Sequence, residues 1–499
     1  MSWRRVTLLS LAGGLSVAAL GVSLTVSCPP RPASTARALG IYTTSLPDDA
    51  REQARAALAS DATLREERFL EAITPGRAFS LTRIRQVDID DGRATAGQLF
   101  QLGAQLFHLT FTRQVGYGAR DLPPVARFQK GHRGGPDSFR CDSCHWRGGP
   151  AGAGDAADNA YFDGDGDRQS TALARNPIAL AGAGVLEILA REMTADLERR
   201  AAALQVQAAR SGRLARGELE AKGVSFGWLT ARADGTFDGA ELRGVDADLT
   251  VKPFGWKGNV ARIRDAVEDA LLVHHGMESD HLVRTGPPAR VGPFDPSDPD
   301  GDGVAPEIEE GQVSALTAFV AMQEVPTTRT PEDANMVTLL AAGETQMTEL
   351  GCTTCHVASL PLEGTVFRLP SRQGGVDLTI DLATFGAEPR LPRSADGGAY
   401  RAFLYSDLRR HDMGAALAEP RVDRGVAGSL FLTRPLWGVA RSGPYMHDGR
   451  AATVEDAILL HGGEAQAARD AYAKLLDSQR APVRVFLASL SRAKRLVVR

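Results

Sequence analysis

Two pentapeptides, CDSCH at 141–145 and CTTCH at 352–356, carry four of the five cysteines in the 499-residue chain. C-x-x-C-H is the attachment signal of a c-type haem. Two thiols add across the two vinyl groups of the porphyrin, and the adjoining histidine then reaches the iron as an axial ligand. Three other chemistries use paired cysteines. Zinc sites bring two C-x-x-C pairs within about 20 residues of each other, whereas these begin at positions 141 and 352. A disulfide inside each pair gives no reason for the following histidine. A thioredoxin-like motif occurs once, at the start of a helix that follows a strand. The spacing therefore predicts two covalent haems, one on Cys141, Cys144 and His145 and one on Cys352, Cys355 and His356.

The rest of the chain agrees with attachment outside the cytoplasm. A short basic start, MSWRR, runs into the apolar stretch VTLLSLAGGLSVAALGVSLTV and then SCPPRPAS. That pattern is an export signal rather than part of the fold. Cys28 stands where a lipoprotein signal places its lipidated cysteine, although Thr25 occupies the usual leucine position. Three readings stand: a lipid anchor at Cys28, a retained apolar anchor and an ordinary cleaved signal. All three predict a periplasmic or cell-envelope protein. The formal net charge is −4, which gives no reason to expect nucleic acid as a partner.

Helical periodicity dominates between the motifs, so the predicted class is mainly α: two cytochrome-c-like haem domains with long loops and a small β-hairpin insertion. The segment from about 181 reads as a helix continuing through MTADLERRAAALQVQAARSGRLARGELEA. Strand-like stretches with glycine turns follow it to 251. RIRDAVEDALLVHHG is an amphipathic helix that stops at Gly276. The predicted organisation is a signal over 1–28 and an N-terminal haem domain over 29–290, with its insertion at about 195–250. A calcium-loop linker and helix follow over 291–325, then a C-terminal haem domain over 326–499.

In the linker, Asp298, Asp300, Asp302, Gly303 and Glu309 match D-x-D-x-D-G-x5-E, the oxygen-rich loop that wraps calcium. Pro306 is unusual inside such a loop, and a solvated acidic linker is the competing reading. DGDGD at 163–167 opens the same way but places Arg168 at the glycine position, which weakens it.

Near the C-terminus, YMHDGRAATVEDAILLHGG at 445–463 holds a capped helix. Thr453 and Asp456 form a capping-box-like start and Gly462-Gly463 a stop. Val454, Ala457, Ile458 and His461 fall on one apolar face. By itself that pattern suits a core histidine with a hydrogen-bond partner, or one favoured by the helix C-terminal dipole.

With these stretches placed, the chain resembles the dihaem cytochrome c peroxidase superfamily, which also includes the methylamine-dehydrogenase maturation enzymes. It is most similar to the di-haem oxidoreductase branch often labelled thiol-oxidoreductase-like. RNPIALAGAGVLE, FGWKGNVARIRDAVEDALL, LGCTTCHVASLP, YSDLRRHDMG and TRPLWGVARSGPYMHDGRAATVEDAILLHGGEA carry the likeness. It spans roughly 90–499 and is weakest at the insertion.

The resemblance implies two haems facing a shared interface, one reacting with oxidant and the other relaying electrons. It puts Trp256 at the electron-conducting position between them. It makes Asn176, Ser442 and Pro444 the counterparts of an interhaem calcium site. It also places His461, fourteen positions after His447, where peroxidases carry a distal methionine.

Two departures accompany it. Gly276 stands at the position of the catalytic glutamate, beside His274 and His275, either of which could serve as acid/base or sixth ligand; ordinary helix-end histidines are the competing reading. Arg168 replaces the resting-state histidine. HDMG at 411–414 either lines a haem edge or packs, and packing is the favoured reading. The expected function is an exported dihaem c-type cytochrome oxidoreductase with a peroxide-like oxidant and a small redox protein or cytochrome as electron donor. The alternative is a purely electron-transferring protein with both haems six-coordinate. No thiol pair remains beyond the haem cysteines, so thiol exchange has no residues to perform it.

Overall fold

The computed structural model describes residues 84–111, 138, 140–155, 160–162, 173–275, 277–285, 305–372, 374–391 and 400–492. The signal segment with Cys28, the DGDGD stretch, Gly276 and the loop residues Asp298, Asp300, Asp302 and Gly303 lie outside the described residues.

The N-terminal half holds α1 (Gln86–Asp90), α2 (Ala96–His108), α3 (Cys141–Cys144), α4 (Ala183–Ser211), α5 (Ile263–His275) and α6 (Asp280–Thr285). Next come α7 (Glu310–Ala321) and α8 (Ala334–Glu349), then α9 (Val454–Leu460), α10 (Gln466–Ala473) and α11 (Asp477–Ser489). In each half a helix pair crosses where glycine lets the backbones touch. A Cβ on Gly103 of α2 would lie 2.1 Å from the Ala315 carbonyl of α7, and one on Gly343 of α8 would lie 2.1 Å from the Pro482 carbonyl of α11. Around the first crossing, Phe107 and Phe100 of α2 stack on Phe319 of α7 at 5.0 and 5.2 Å. Around the second, Met347, Tyr405, Tyr472, Val483, Phe486 and Leu487 form a buried cluster.

The fold is not the mainly α class expected from the sequence. Helix accounts for 40% and strand for 16% of the structure, with the strands spread over several small sheets. Five sheets are two-stranded: β1 (Ala160–Phe162) with β2 (Leu173–Arg175), β6 (Thr327–Thr328) with β13 (Leu490–Ser491), β7 (Leu360–Leu362) with β10 (Tyr400–Ala402), β8 (Val366–Leu369) with β9 (Leu378–Asp381), and β11 (Arg410–Asp412) with β12 (Leu430–Leu432). All five pairs are antiparallel. Runs of two to four residues are too short for alternation to show in a sequence. They arise because long loops lying over a core must pair their own N–H and C=O groups.

The sixth sheet is the insertion, β3 (Ala215–Ala221), β4 (Val224–Ala231) and β5 (Phe237–Asp238), three strands in that order. Here the expected long helix stops early. Gly212 takes φ +65 at the end of α4, a left-handed cap that glycine adopts without steric cost. RGELEA, read as helix, is therefore strand β3 against β4.

Candidate haem and interhaem site

Each C-x-x-C-H motif forms a short helical turn, α3 at residues 141–144 and a 3-10 turn at Cys352–Thr354, with its histidine at the exit. Neither pair is bridged by a disulfide. The histidines share one arrangement. His145 Nδ1 donates to the carbonyl oxygens of Ile178 at 3.0 Å and Gly152 at 3.2 Å, and His356 Nδ1 donates to that of Tyr405 at 2.9 Å. A proton held on Nδ1 leaves Nε2 as the ligand atom. Burial pushes both imidazoles down to about 4, which keeps them neutral, the form that binds metal. Tyr405 presents its carbonyl from a left-handed backbone, φ +53, a conformation that non-glycine residues adopt mainly where surrounding structure imposes it.

A cavity of about 610 Å³ opens beside the second motif, within the range of pockets that take a cofactor, ~300–1,000 Å³. Cys352, Cys355, His356 and His461 all line it. Thr453 caps α9, accepting the Asp456 N–H at 3.0 Å while Asp456 accepts the Thr453 N–H at 2.9 Å. At the other end of that helix His461 Nδ1 donates to Ala457 O at 2.7 Å. Burial holds this imidazole below its ordinary value too. His461 thus repeats the pattern of the two motif histidines. The donor set, the volume and the apolar walls fit a haem.

The same cavity reaches Trp256, Asn176, Ser442 and Pro444. Trp256 Nε1 donates to Asn176 O at 2.7 Å, and Asn176 Nδ2 donates to Pro444 O at 2.8 Å. Asn176 N–H donates to His447 O at 2.6 Å. Asn176 Oδ1 is buried with no hydrogen-bond partner. That orphaned oxygen beside the Pro444 carbonyl suits a hard cation. Ser442 Oγ, by contrast, donates to Val439 O at 3.2 Å. His447 is buried, with its ring 4.8 Å from Phe431 and its basicity pushed down to about 4 by burial. Of the loop's proposed calcium ligands only Glu309 is described; its N–H donates to Gln312 Oε1 at 2.9 Å at the start of α7.

At the first motif, α5 delivers both histidines. His275 is buried, its Nδ1 donating to Ser138 O at 2.9 Å and its Nε2 lying 3.6 Å from Cys141 Sγ. His274 is half-buried, and its charge acts on His145. Burial pushes the Cys141 thiol up to about 12.

HDMG does more than pack, since His411 and Met413 line the cavity. His411 lies between two carboxylates, Asp407 Oδ2 and Glu464 Oε2, each at 2.8 Å. Burial works against its charge, but the hydrogen bonds and charges of Asp407 and the Cys355 thiol together raise it to about 10, the Cys355 share being lost once that sulfur is a thioether. Cys355, Asp407 and His411 bring donor atoms within 4.8 Å of one another. A thioether at Cys355 removes the thiolate that a metal there would need.

Several residues at the site carry no sequence signal of their own. Arg175 and Lys257, beside Asn176 and Trp256, are buried with Glu419 and Asp423: Arg175 Nε to Glu419 Oε1 is 2.5 Å, and Lys257 Nζ to Glu419 Oε2 is 3.6 Å. Their partners lie more than 160 positions away, where periodicity has nothing to say.

Two motif histidines, a third histidine lining a cofactor-sized cavity and a tryptophan anchored beside it are the donor set that a dihaem redox site requires. One family comparison points the same way. Residues 297–490 match the family described as "Di-haem oxidoreductase, putative peroxidase", the family the motifs resemble. Among solved structures, hydrazine synthase of Kuenenia stuttgartiensis pressurized with 20 bar xenon aligns at 16% identity and TM-score 0.21, over 36% of this chain and 55% of that one. This chain therefore spans about half the length of that relative. A MauG-like protein associated with microbial copper homeostasis aligns at 16% identity and TM-score 0.26, over 62% and 88%. No curated protein matches.

Proposed function

We propose that this chain is an exported dihaem c-type oxidoreductase. Cys141, Cys144 and His145 would hold a first haem, which would supply reaction with a small peroxide-like oxidant. Cys352, Cys355, His356 and His461 would hold a second, which would supply electron storage and relay from a small redox protein or cytochrome. The observation that carries this reading is the cavity lined at once by the second motif and by His461, with both Nδ1 atoms tied to backbone carbonyls.

Bound haem supplies one-electron chemistry at iron and, where the sixth position is open, activation of an O–O bond. The protein's own groups divide the remaining work. His145, His356 and His461, each with Nδ1 tied to a backbone carbonyl, would offer Nε2 to iron. Trp256, fixed by its bond to Asn176 O, bridges the two sites. His274, half-buried near His145, is the candidate to move a proton at the first site; His275 has its Nδ1 committed to Ser138 O and braces the Cys141 side. Asn176, Ser442 and Pro444 offer oxygens to calcium between the sites, and Asp298, Asp300, Asp302 and Glu309 would hold a second ion in the linker. Lipid attachment at Cys28 would tether the protein to the cell envelope.

Gly276 in place of a carboxylate favours a second reading, an electron relay with both haems six-coordinate. Electron paramagnetic resonance of the oxidised protein, repeated after mixing with peroxide, separates the two. One high-spin and one low-spin haem, with the high-spin signal consumed by peroxide, is the expected result. Two low-spin signals that peroxide leaves untouched establish the relay instead.

A further inference from the structure

Four arginines line the cavity beside the second motif: Arg409, Arg434, Arg469 and Arg492. Two are neutralised by the protein. Arg469 pairs with Asp470 at 2.6 Å and Arg492 with Glu324 at 2.5 Å. The other two form no ion pair among the described residues, although the Arg409 charge acts on Glu464 from a longer range. Arg434 Nη1 reaches Gly255 O at 3.4 Å, with its guanidinium 5.8 Å from the Trp256 ring. Arg409 lies 6.0 Å from the Phe226 ring, and its Nε is buried without a hydrogen bond. Glu464, the one acidic side chain lining the cavity, is already bonded to His411 and to the Asp412 N–H.

The β11–β12 ladder pairs Arg410 with Leu432, and the Thr433 N–H donates to Arg409 O at 2.9 Å, so residues 409 and 434 leave the same end of the ladder. Burying a guanidinium without counter-charge costs several kcal/mol. Burial accordingly pushes Arg434 down to about 10 with no carboxylate to offset it. The pocket thus presents two rigid forks, each shaped for a carboxylate, and a haem carries two propionates.

We propose that Arg409 and Arg434 are the propionate-binding pair of the second haem. The assignment rests on the reading that this cavity holds that haem. Because Arg434 lies beside the Trp256 ring, pairing it with a propionate also sets the charge next to the bridging indole.

The test uses haem-loaded full-length Arg409→Gln, Arg434→Gln and Arg434→Lys, each assayed by potentiometric titration of the haem ligated by His461. Removing a positive charge beside the haem favours its oxidised form. Each Gln variant should therefore raise the oxidised-to-reduced ratio at the wild-type midpoint about tenfold, equivalent to a midpoint ~59 mV lower. Arg434→Lys keeps the charge and should stay within about threefold of wild type. Gln variants that titrate within twofold of wild type overturn the assignment, as does a Lys variant that shifts as far as Gln. Should one Gln variant fail to accumulate, the other, for which the same tenfold change is expected, decides. Mass spectrometry of the peptide holding Cys352 and Cys355 separates the two levels. A peptide without haem sinks the parent reading together with this one, whereas haem present with unmoved potentials sinks only the arginine assignment.

Discussion

His461 owes its aim to one hydrogen bond: with Nδ1 donating to Ala457 O at 2.7 Å, only Nε2 can face the cavity. His461→Ala should convert the second haem from low to high spin in the electronic spectrum, and an unchanged low-spin band would refute ligation. His461→Met should keep six-coordination and raise the midpoint potential, because a thioether axial ligand favours ferrous iron more than imidazole does. Trp256→Phe keeps the ring but leaves the Asn176 carbonyl unpaired, costing about 1–3 kcal/mol, and should slow electron exchange between the haems after flash reduction. At this scale the sequence was readable wherever chemistry demands fixed spacing, as in C-x-x-C-H and in the helix that carries His461. It singled out His411 but favoured packing for it, because its partners Asp407 and Glu464 come from a loop and from a turn 53 residues on, so that only folding creates the cluster.

Among the helices, the buried carboxylate of Glu187 joins α4 to the start of α5, accepting the Ile263 N–H at 2.7 Å. Burial raises this group from 4.5 to about 7, against the smaller opposing pull of the Ile263 N–H. Between those values the folded state binds more protons than the unfolded state. Stability should therefore fall as pH rises through this window, by about 3 kcal/mol once above pH 7. Glu187→Gln mimics the protonated form and should flatten that slope in melting curves taken from pH 4 to 8; an unaltered slope would assign the effect elsewhere. The Thr453 cap is a second lever, and Thr453→Ala should cost about 1 kcal/mol and increase the high-spin fraction by loosening the helix that holds His461. Helix ends marked by caps were legible. The end of α4 was not, because charged RGELEA follows an alanine-rich helical stretch and reads as its continuation, and Gly212 outweighs it only when β4 is present to pair with β3.

Across the whole chain, the first motif's half and the second motif's half are joined by buried charge rather than by a shared apolar seam alone. Arg175 and Lys257 come from segments beside Asn176 and Trp256, while Glu419 and Asp423 come from the loop before β12. Asn259 donates to Asp423 Oδ2 at 2.8 Å, and Lys257 sits 3.8 Å from the Phe431 ring centre. No local pattern announces such a cluster, just as none announced the two-stranded sheets that moved the fold away from the mainly α class. Each depends on residues brought together from distant parts of the chain. The energetics make a sharp test. Glu419→Gln leaves Arg175 and Lys257 sharing a single remaining carboxylate, Asp423, and breaking a buried pair from one side costs about 3–5 kcal/mol. Replacing both partners with apolar groups removes that uncompensated charge, so Arg175→Met combined with Glu419→Leu should be less destabilised than Glu419→Gln alone. Denaturant unfolding of the three proteins, followed at the haem absorbance and by far-ultraviolet circular dichroism, should give one coincident transition in each. If Glu419→Gln instead separates the two signals, or costs no more than a surface pair at ~0–1 kcal/mol, the cluster does not join the halves.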